Sequence, residues 1–225
     1  SLSKSHGAAA EAMLLDRLRK QLDERGTLDV LRFGIEMIGL RQPLKLAQFK
    51  PALAMNPELQ ARYAANRLRV VRQIRTNHND VIDLVLFLNG VPVATAEIKT
   101  NFTQDVNEAV DQYRFDRQPK PKGKPNAEPL LDFPRGALVH FAVSNRTVMM
   151  ATRLQGPATR FLPFNQGDDG HEGNPPSSTG SSTNYLWREI LARPTFMRIL
   201  KDFALFEPGK SGKKEDGRLV FPRFH

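Results

Sequence analysis

The pattern of apolar and polar residues is clearest between residues 83 and 98. Two runs rich in Val, Leu and Ile, Asp83–Leu88 and Val91–Ile98, flank the dipeptide Asn89-Gly90. Asn-Gly is the strongest short-range signal for a two-residue β-turn, because both residues tolerate positive φ. The pattern therefore predicts a β-hairpin, and its largely apolar strands place that hairpin in the middle of a sheet.

Further strands are predicted on both sides of the hairpin, at Arg67–Arg75, Ala137–Val143, Val148–Thr152 and, as a strand or extended run, Arg160–Asn165. The first of these alternates, which predicts a half-buried strand with one basic face. His140 lies inside an apolar run, so we expect a hydrogen-bonded core histidine rather than a catalytic base.

Apolar residues at helical spacing predict helices at Glu11–Glu24, Leu28–Ile38, Pro57–Ala65, Thr103–Arg117, Tyr185–Leu191 and Pro194–Phe206. Thr27 and Thr103 are the expected caps of the second and fourth helices. The element order predicts an α/β fold, a central mixed β-sheet flanked by helices. We expect an N-terminal helical region at residues 1–66, a core at 67–206, and a charged linker from residue 207 to the last residue, 225.

Three charges interrupt the hairpin at its open end: Asp83 on the first strand, and Glu97 and Lys99 on the second. Charges in a buried strand are costly unless they are paired or bind a metal. Two carboxylates suit Mg²⁺, and an adjacent lysine can assist an attacking water, so the group suits phosphodiester hydrolysis. From spacing alone, an ordinary salt bridge at the end of a hairpin is equally compatible with these residues.

A shared metal site places a demand on the register of the hairpin. With a two-residue turn and strict pairing, Asp83 lies opposite Ala96, and Asp83 and Glu97 point to opposite faces. We therefore predict a bulge or bend between Asp83 and Glu97 that shifts the register by one residue. Pro92, which has no ladder donor, is a plausible place for it.

The charge balance points to a polyanionic partner. The net charge is +9 and the pI is about 10, which favours nucleic acid through counterion release. The candidate phosphate contacts are Arg69, Arg72, Arg75, Arg114 and Arg117. There is no cysteine, no visible signal peptide and no apolar run long enough for a membrane span, which fits a cytoplasmic protein.

The order Asp83, Leu-Phe-Leu-Asn-Gly-Val-Pro (86–92) and Glu-Ile-Lys (97–99) resembles the nuclease core of the restriction (motor) subunit of type I restriction-modification enzymes. Similar segments lie at Asn66–Leu68, Val71–Gln73, Gln112–Arg114, His140–Val143, Arg160–Asn165 and Tyr185–Trp187. The resemblance implies a restriction-endonuclease-like core in which Asp83 and Glu97, with the Ile98 carbonyl, hold Mg²⁺ and Lys99 serves catalysis.

The resemblance also implies secondary candidates. The family often has a helical carboxylate near the start of the chain, and Glu11 is the candidate for it here. A glutamate in the first turn of a helix is equally explained by the helix dipole. The family has a Gln-x-x-x-Tyr signature that supports the site, whereas here Gln112 and Tyr113 are adjacent. The site-supporting role is therefore assigned only loosely to Gln112 and Tyr113, and Tyr113 is equally compatible with a position in the core.

The resulting expectation is Mg²⁺-dependent cleavage of double-stranded DNA without sequence choice. The resemblance implies that specificity and methyltransferase subunits are partners, and that ATP acts only through a motor domain. Residues 221–225, Phe-Pro-Arg-Phe-His, resemble the start of that motor, so we expect a front fragment of a longer polypeptide. Two alternatives remain open: a basic nucleic-acid-binding module with structural charges, and a related nuclease acting on RNA or branched DNA.

Overall fold

The computed structural model of the protein describes residues 7–53, 55–99, 105–178, 180–212 and 214–223. The strands are β1 (Leu68–Arg75), β2 (Val81–Leu88), β3 (Val91–Ile98), β4 (Val139–Val143), β5 (Val148–Ala151), β6 (Leu162–Pro163), β7 (Leu205–Glu207) and β8 (Arg218–Val220). The α-helices are α1 (Ala10–Arg25), α2 (Thr27–Phe33), α3 (Pro57–Ala64), α4 (Val106–Asp111) and α5 (Arg193–Arg198). Three π-helical turns cover Gln112–Asp116, Leu186–Ile190 and Ile199–Phe203.

Six strands form one mixed sheet in the order β1-β2-β3-β4-β5-β6. All neighbours are antiparallel except β3 and β4, which pair in parallel. The connection between β3 and β4 contains α4, as expected of a parallel crossover. The predicted α/β class with a central mixed sheet is confirmed.

The β2–β3 hairpin contains the predicted register shift. Asn89 and Gly90 have φ values of 51° and 90°, as the turn requires. Beyond it Phe87 pairs with Pro92 but Leu86 pairs with Ala94, so Val93 is the extra residue of a bulge. The pairs then continue to Leu84 and Ala96, which brings the next residues, Asp83 and Glu97, opposite each other.

Buried apolar clusters lie on both faces of the sheet. The larger joins β3 and β4 to α2 and the C-terminal helices, with Leu31, Phe141 and Leu200 almost fully buried. The smaller packs α4 against β2, β4 and β5 through Val85 and Ala109. Helix α2 thus contributes to the same core as the sheet, whereas the apolar residues of α1 pack on a separate cluster that includes Val30 and Ile35.

Two helix boundaries differ from the prediction. The second helix ends at Phe33, because Gly34 (φ 79°) turns the chain and donates its amide to the Val30 carbonyl. The hydroxyl of Thr27 donates to the carbonyls of Arg135 and Gly136, so it does not cap the helix. The next capping prediction, Thr103, lies outside the described residues.

The carboxylate that caps α4 is Asp105. Its side chain accepts a hydrogen bond from the Val106 amide. Asn56 caps α3, and its side chain accepts a hydrogen bond from the Leu59 amide at 3.1 Å.

The C-terminal segment contributes to the core. The helical run beginning at Arg193 ends at Phe203, and β7 then pairs with β8. Leu219 and Phe221 are buried in the larger cluster, and the Phe221 ring lies 6.3–6.5 Å from three other phenylalanine rings. The expected division after residue 206 therefore does not coincide with a break in packing.

The first strand departs from its predicted half-buried character. It is an edge strand, and Val70 and Val71 are 55% and 38% exposed on its two faces. This exposure on both faces means that no second layer of the described residues covers the middle of β1. Among the described residues, no helix has the length and apolar content needed to cross a bilayer.

Candidate active site

Asp83 is held in place through both of its carboxylate oxygens. Oδ2 accepts a hydrogen bond of 2.9 Å from the backbone amide of Ile98, across the hairpin. Oδ1 accepts one of 2.9 Å from the side-chain amide of Gln73 on β1. Each carboxylate oxygen has a further lone pair for another partner. The half-buried carboxylate is therefore oriented from both neighbouring strands.

Glu97 faces Asp83 from β3 and is 1% exposed. Its Oε1 lies 2.9 Å from Nε of Arg117, which follows the π-helical turn after α4. Burial raises the pKa of the Glu97 carboxyl from 4.5 to about 8; Arg117 opposes that shift, and the charge and hydrogen-bonding contact of Asp83 add to it. Two carboxyl groups and one guanidinium thus share a space largely closed to water.

Lys99 and Ile98 lie at the end of β3. The Lys99 amide donates to the Val143 carbonyl at 2.8 Å, which continues the parallel pairing with β4 beyond Ile98. Since Lys99 is two residues beyond Glu97 in this extended segment, it leaves the same face of the sheet. Ile98 is 37% exposed, so the backbone between the acid and the amine lies near solvent.

Three buried polar side chains, linked by hydrogen bonds, lie beside Glu97. The Thr95 hydroxyl lies 2.7 Å from the hydroxyl of Tyr113 and 2.8 Å from Nδ1 of His140. Burial lowers the pKa of His140 from 6.5 to about 3, so its ring is neutral at pH 7. All three side chains are at most 1% exposed. His140 is the hydrogen-bonded core residue that was predicted, and Tyr113 ties the helix to β3.

The other secondary candidates are placed less closely. Gln112 is half-buried at the start of the π-helical turn, and its Oε1 is buried without a hydrogen-bond partner among the described residues. Glu11 is exposed in the first turn of α1, whose apolar face packs against Val30 and Ile35. The structure therefore brings together Asp83, Glu97 and the Ile98–Lys99 backbone, with Tyr113 behind them.

The five candidate DNA-contacting arginines divide into two groups. Arg69, Arg72 and Arg75 are exposed on β1, next to the strand that carries Asp83. Arg114 and Arg117 were expected to be exposed, but the Arg117 side chain is only 13% exposed and bonds Glu97. The Arg114 side chain is 34% exposed and contacts the Thr159 carbonyl at 3.3–3.4 Å.

The residues present fit a hard divalent cation with few protein ligands. Among the described residues, no three His, Asp or Glu side chains form a group that could hold a metal. Mg²⁺ is usually bound by one or two carboxylates and keeps several waters. Asp83 and Glu97 supply two carboxylates in contact. This oxygen-only donor set suits Mg²⁺ better than zinc.

Three contacts of the site were missed by sequence reasoning. Arg117 pairs with Glu97 and also lies 3.8 Å from Asp80, in the turn that precedes β2. Gln73 binds Asp83 from the edge strand. From the sequence, a buried carboxylate is expected to have a cationic or metal partner. That expectation does not identify which arginine is the partner.

The segment that contains the candidate site matches a known family. Residues 52–159 match a family model described as the type I restriction enzyme R protein N terminus. The chain matches none of the curated proteins with which it was compared. The matched range includes β1, β2, β3, α4 and β4, with all the residues that surround Glu97. The resemblance predicted from the sequence is thus confirmed: the segment 52–159 is similar to the type I restriction enzyme R protein N terminus.

Proposed function

We propose that this chain is the endonuclease domain of a type I restriction enzyme R subunit and cleaves double-stranded DNA with Mg²⁺, without sequence choice. The observation that carries the proposal is the bulge at Val93. It brings Asp83 and Glu97 opposite each other, two residues before Lys99. The family implies a DNA substrate and a multisubunit complex, which supports the same activity.

Each residue has a chemical role in this proposal. Asp83, Glu97 and the Ile98 carbonyl would hold Mg²⁺, which supplies a more acidic bound water and stabilises charge on the phosphate. Lys99 orients the attacking water or neutralises the charge that develops on the scissile phosphate. Exposed Arg69, Arg72 and Arg75 would bind backbone phosphates, which position a duplex without reading its sequence.

In the complete enzyme, we propose that cleavage is coupled to ATP-driven translocation by a motor domain, and that specificity and methyltransferase subunits select the target. The nuclease then needs no base-reading element of its own. The test is to replace Glu97 or Lys99 by Ala in the complete complex. Cleavage should be lost while ATP hydrolysis continues, and unchanged cleavage in either variant would refute the assignment.

A second candidate function is a nucleic-acid-binding module whose charges are structural. The ion pair between Glu97 and Arg117 favours it, because the pair already neutralises the buried carboxylate. Titration with Mn²⁺ separates the two: the nuclease should bind the ion in a manner that disappears in Asp83→Ala, and the binding module should not. A panel of duplex DNA, branched DNA and RNA, tested with the complete protein, separates the DNA nuclease from a related enzyme with another substrate.

A further inference from the structure

Gln73 has an unusual backbone conformation for its position. It lies within β1, yet its φ is 54°, in the left-handed region that a residue with a side chain rarely adopts. The other positive-φ residues with side chains are Asn79, Asn89 and Asp169, all Asn or Asp, which tolerate this region best. Strain of this kind persists only where the surroundings impose it, and it clusters at functional sites.

The side chain of Gln73 contacts the candidate site. The flanking pairs, Arg72 with Leu84 and Ile74 with Ile82, place Gln73 beside Asp83. Its side-chain Nε2 donates to Asp83 Oδ1 at 2.9 Å. On the other side of β2, the Ile98 amide donates to Oδ2. The third described partner of this carboxylate is Glu97.

Within the described part of the chain, the packing of β1 does not account for the strain. Gln73 is exposed, and β1 is an edge strand without a neighbour on its outer side. A regular strand conformation at this position would therefore cause no loss of core contacts. The side-chain bond to Asp83 is the described contact that Gln73 makes from this backbone conformation.

We propose that Gln73 is a positioning residue of the metal site: the distorted backbone of β1 presents its amide to Asp83 and fixes the carboxylate for a divalent cation. This inference rests on the proposed function, because it assigns Asp83 to a metal. Groups that hydrogen-bond to metal ligands typically contribute about 10–100-fold to metal affinity. Since this bond is exposed, we expect about tenfold, the lower end of that range.

Three variants of the whole chain separate positioning from a structural role. Gln73→Gly removes the amide and relieves the strain; Gln73→Met removes the amide but retains the strain. Asn79→Gly is the matched control, because Asn79 has a φ of 70° in the β1–β2 turn and is also exposed. Calorimetric titration with Mn²⁺ measures metal affinity, and thermal unfolding without metal measures stability.

Both Gln73 variants should bind Mn²⁺ about tenfold more weakly than the wild type. Gln73→Gly should melt about 2–4 °C higher, since it relieves an unfavourable backbone conformation, and Asn79→Gly should raise the melting temperature less, because Asn tolerates this conformation. Asn79→Gly should retain wild-type affinity. A residue with a merely structural role would change stability without changing affinity.

Wild-type affinity in Gln73→Gly and Gln73→Met would overturn the inference while leaving the nuclease proposal intact. A lower melting temperature in Gln73→Gly would also overturn it, since the residue would then support the fold. If the wild type shows no Mn²⁺ binding that Asp83→Ala abolishes, the proposed function fails first. The two failures are therefore distinguishable in one set of titrations.

Discussion

The buried carboxyl of Glu97 makes the stability of the protein depend on pH. Its pKa is raised from 4.5 to about 8 in the folded chain, chiefly by burial. Between these values the folded state binds more protons than the unfolded state, so stability falls as pH rises. The contribution is fully present below about pH 4.5 and is lost as pH rises through about 8.

The size of the effect follows from the same two values. A shift from 4.5 to about 8 lowers the free energy of unfolding at neutral pH by about 3 kcal/mol relative to an unperturbed glutamate. This is a large part of the about 5–15 kcal/mol by which a domain is typically stable. The conversion applies because Glu97 is 1% exposed and therefore little screened by solvent.

The perturbation is Glu97→Gln, which keeps the shape of the side chain and cannot ionise. Urea unfolding of the wild type and the variant should be measured at about pH 5 and about pH 7.5 in the absence of divalent cations. The variant should gain about 3 kcal/mol relative to the wild type between these two values. Taking the difference between the two proteins cancels the titration of histidines and other shared groups.

Excess Mg²⁺ adds a second arm to the experiment. Because a metal ligand must be deprotonated, the cation should stabilise the wild type at about pH 7.5, with release of a proton, and should leave Glu97→Gln unchanged. If the two proteins lose stability in parallel as pH rises without metal, the raised pKa of Glu97 is refuted. If only the Mg²⁺ effect is missing, the metal assignment fails and the burial argument stands.

Further predictions concern the surroundings of the site. Arg117→Met should destabilise the protein by about 3–5 kcal/mol at a pH above 8, where Glu97 is ionised and loses its partner, and by much less at about pH 5; equal losses at both values in urea unfolding would contradict this. Tyr113→Phe should cost about 1–3 kcal/mol in the same assay, because a buried threonine hydroxyl loses a partner; an unchanged midpoint would show that the hydroxyl chain is dispensable. Gly34→Ala should lower the melting temperature, since a Cβ there would lie 2.5 Å from the Leu44 carbonyl oxygen at a positive φ; an unchanged melting temperature would show that the loop moves aside at no cost.

The hairpin was predictable because its determinants are local. The Asn89-Gly90 turn fixed one end of the register, and the need to bring Asp83 and Glu97 to one face required an irregularity between them. The structure has that irregularity at Val93, next to Pro92. The apolar segment with its two acidic residues was therefore sufficient to predict a bulge in the backbone.

The partners of the two acids were not predictable in the same way. Arg117 is 20 residues beyond Glu97, and the partnership depends on where the crossover helix ends above the sheet. Gln73 binds Asp83 from the neighbouring strand, at a positive φ that its residue type disfavours. Hydrophobic periodicity contains no information about either contact, because both are made by polar side chains outside the apolar pattern.

The burial of Phe221 sets a practical limit on how this polypeptide can be shortened. The last helical turn ends at Phe203, and the next dozen residues are rich in Gly, Lys and charge. These features would favour a truncation after Phe203. Such trimming would remove an aromatic side chain that fills the interior beside Phe141 and Phe164. The smallest soluble piece suitable for crystallisation or assay therefore extends through Phe221, well past the last recognisable helix.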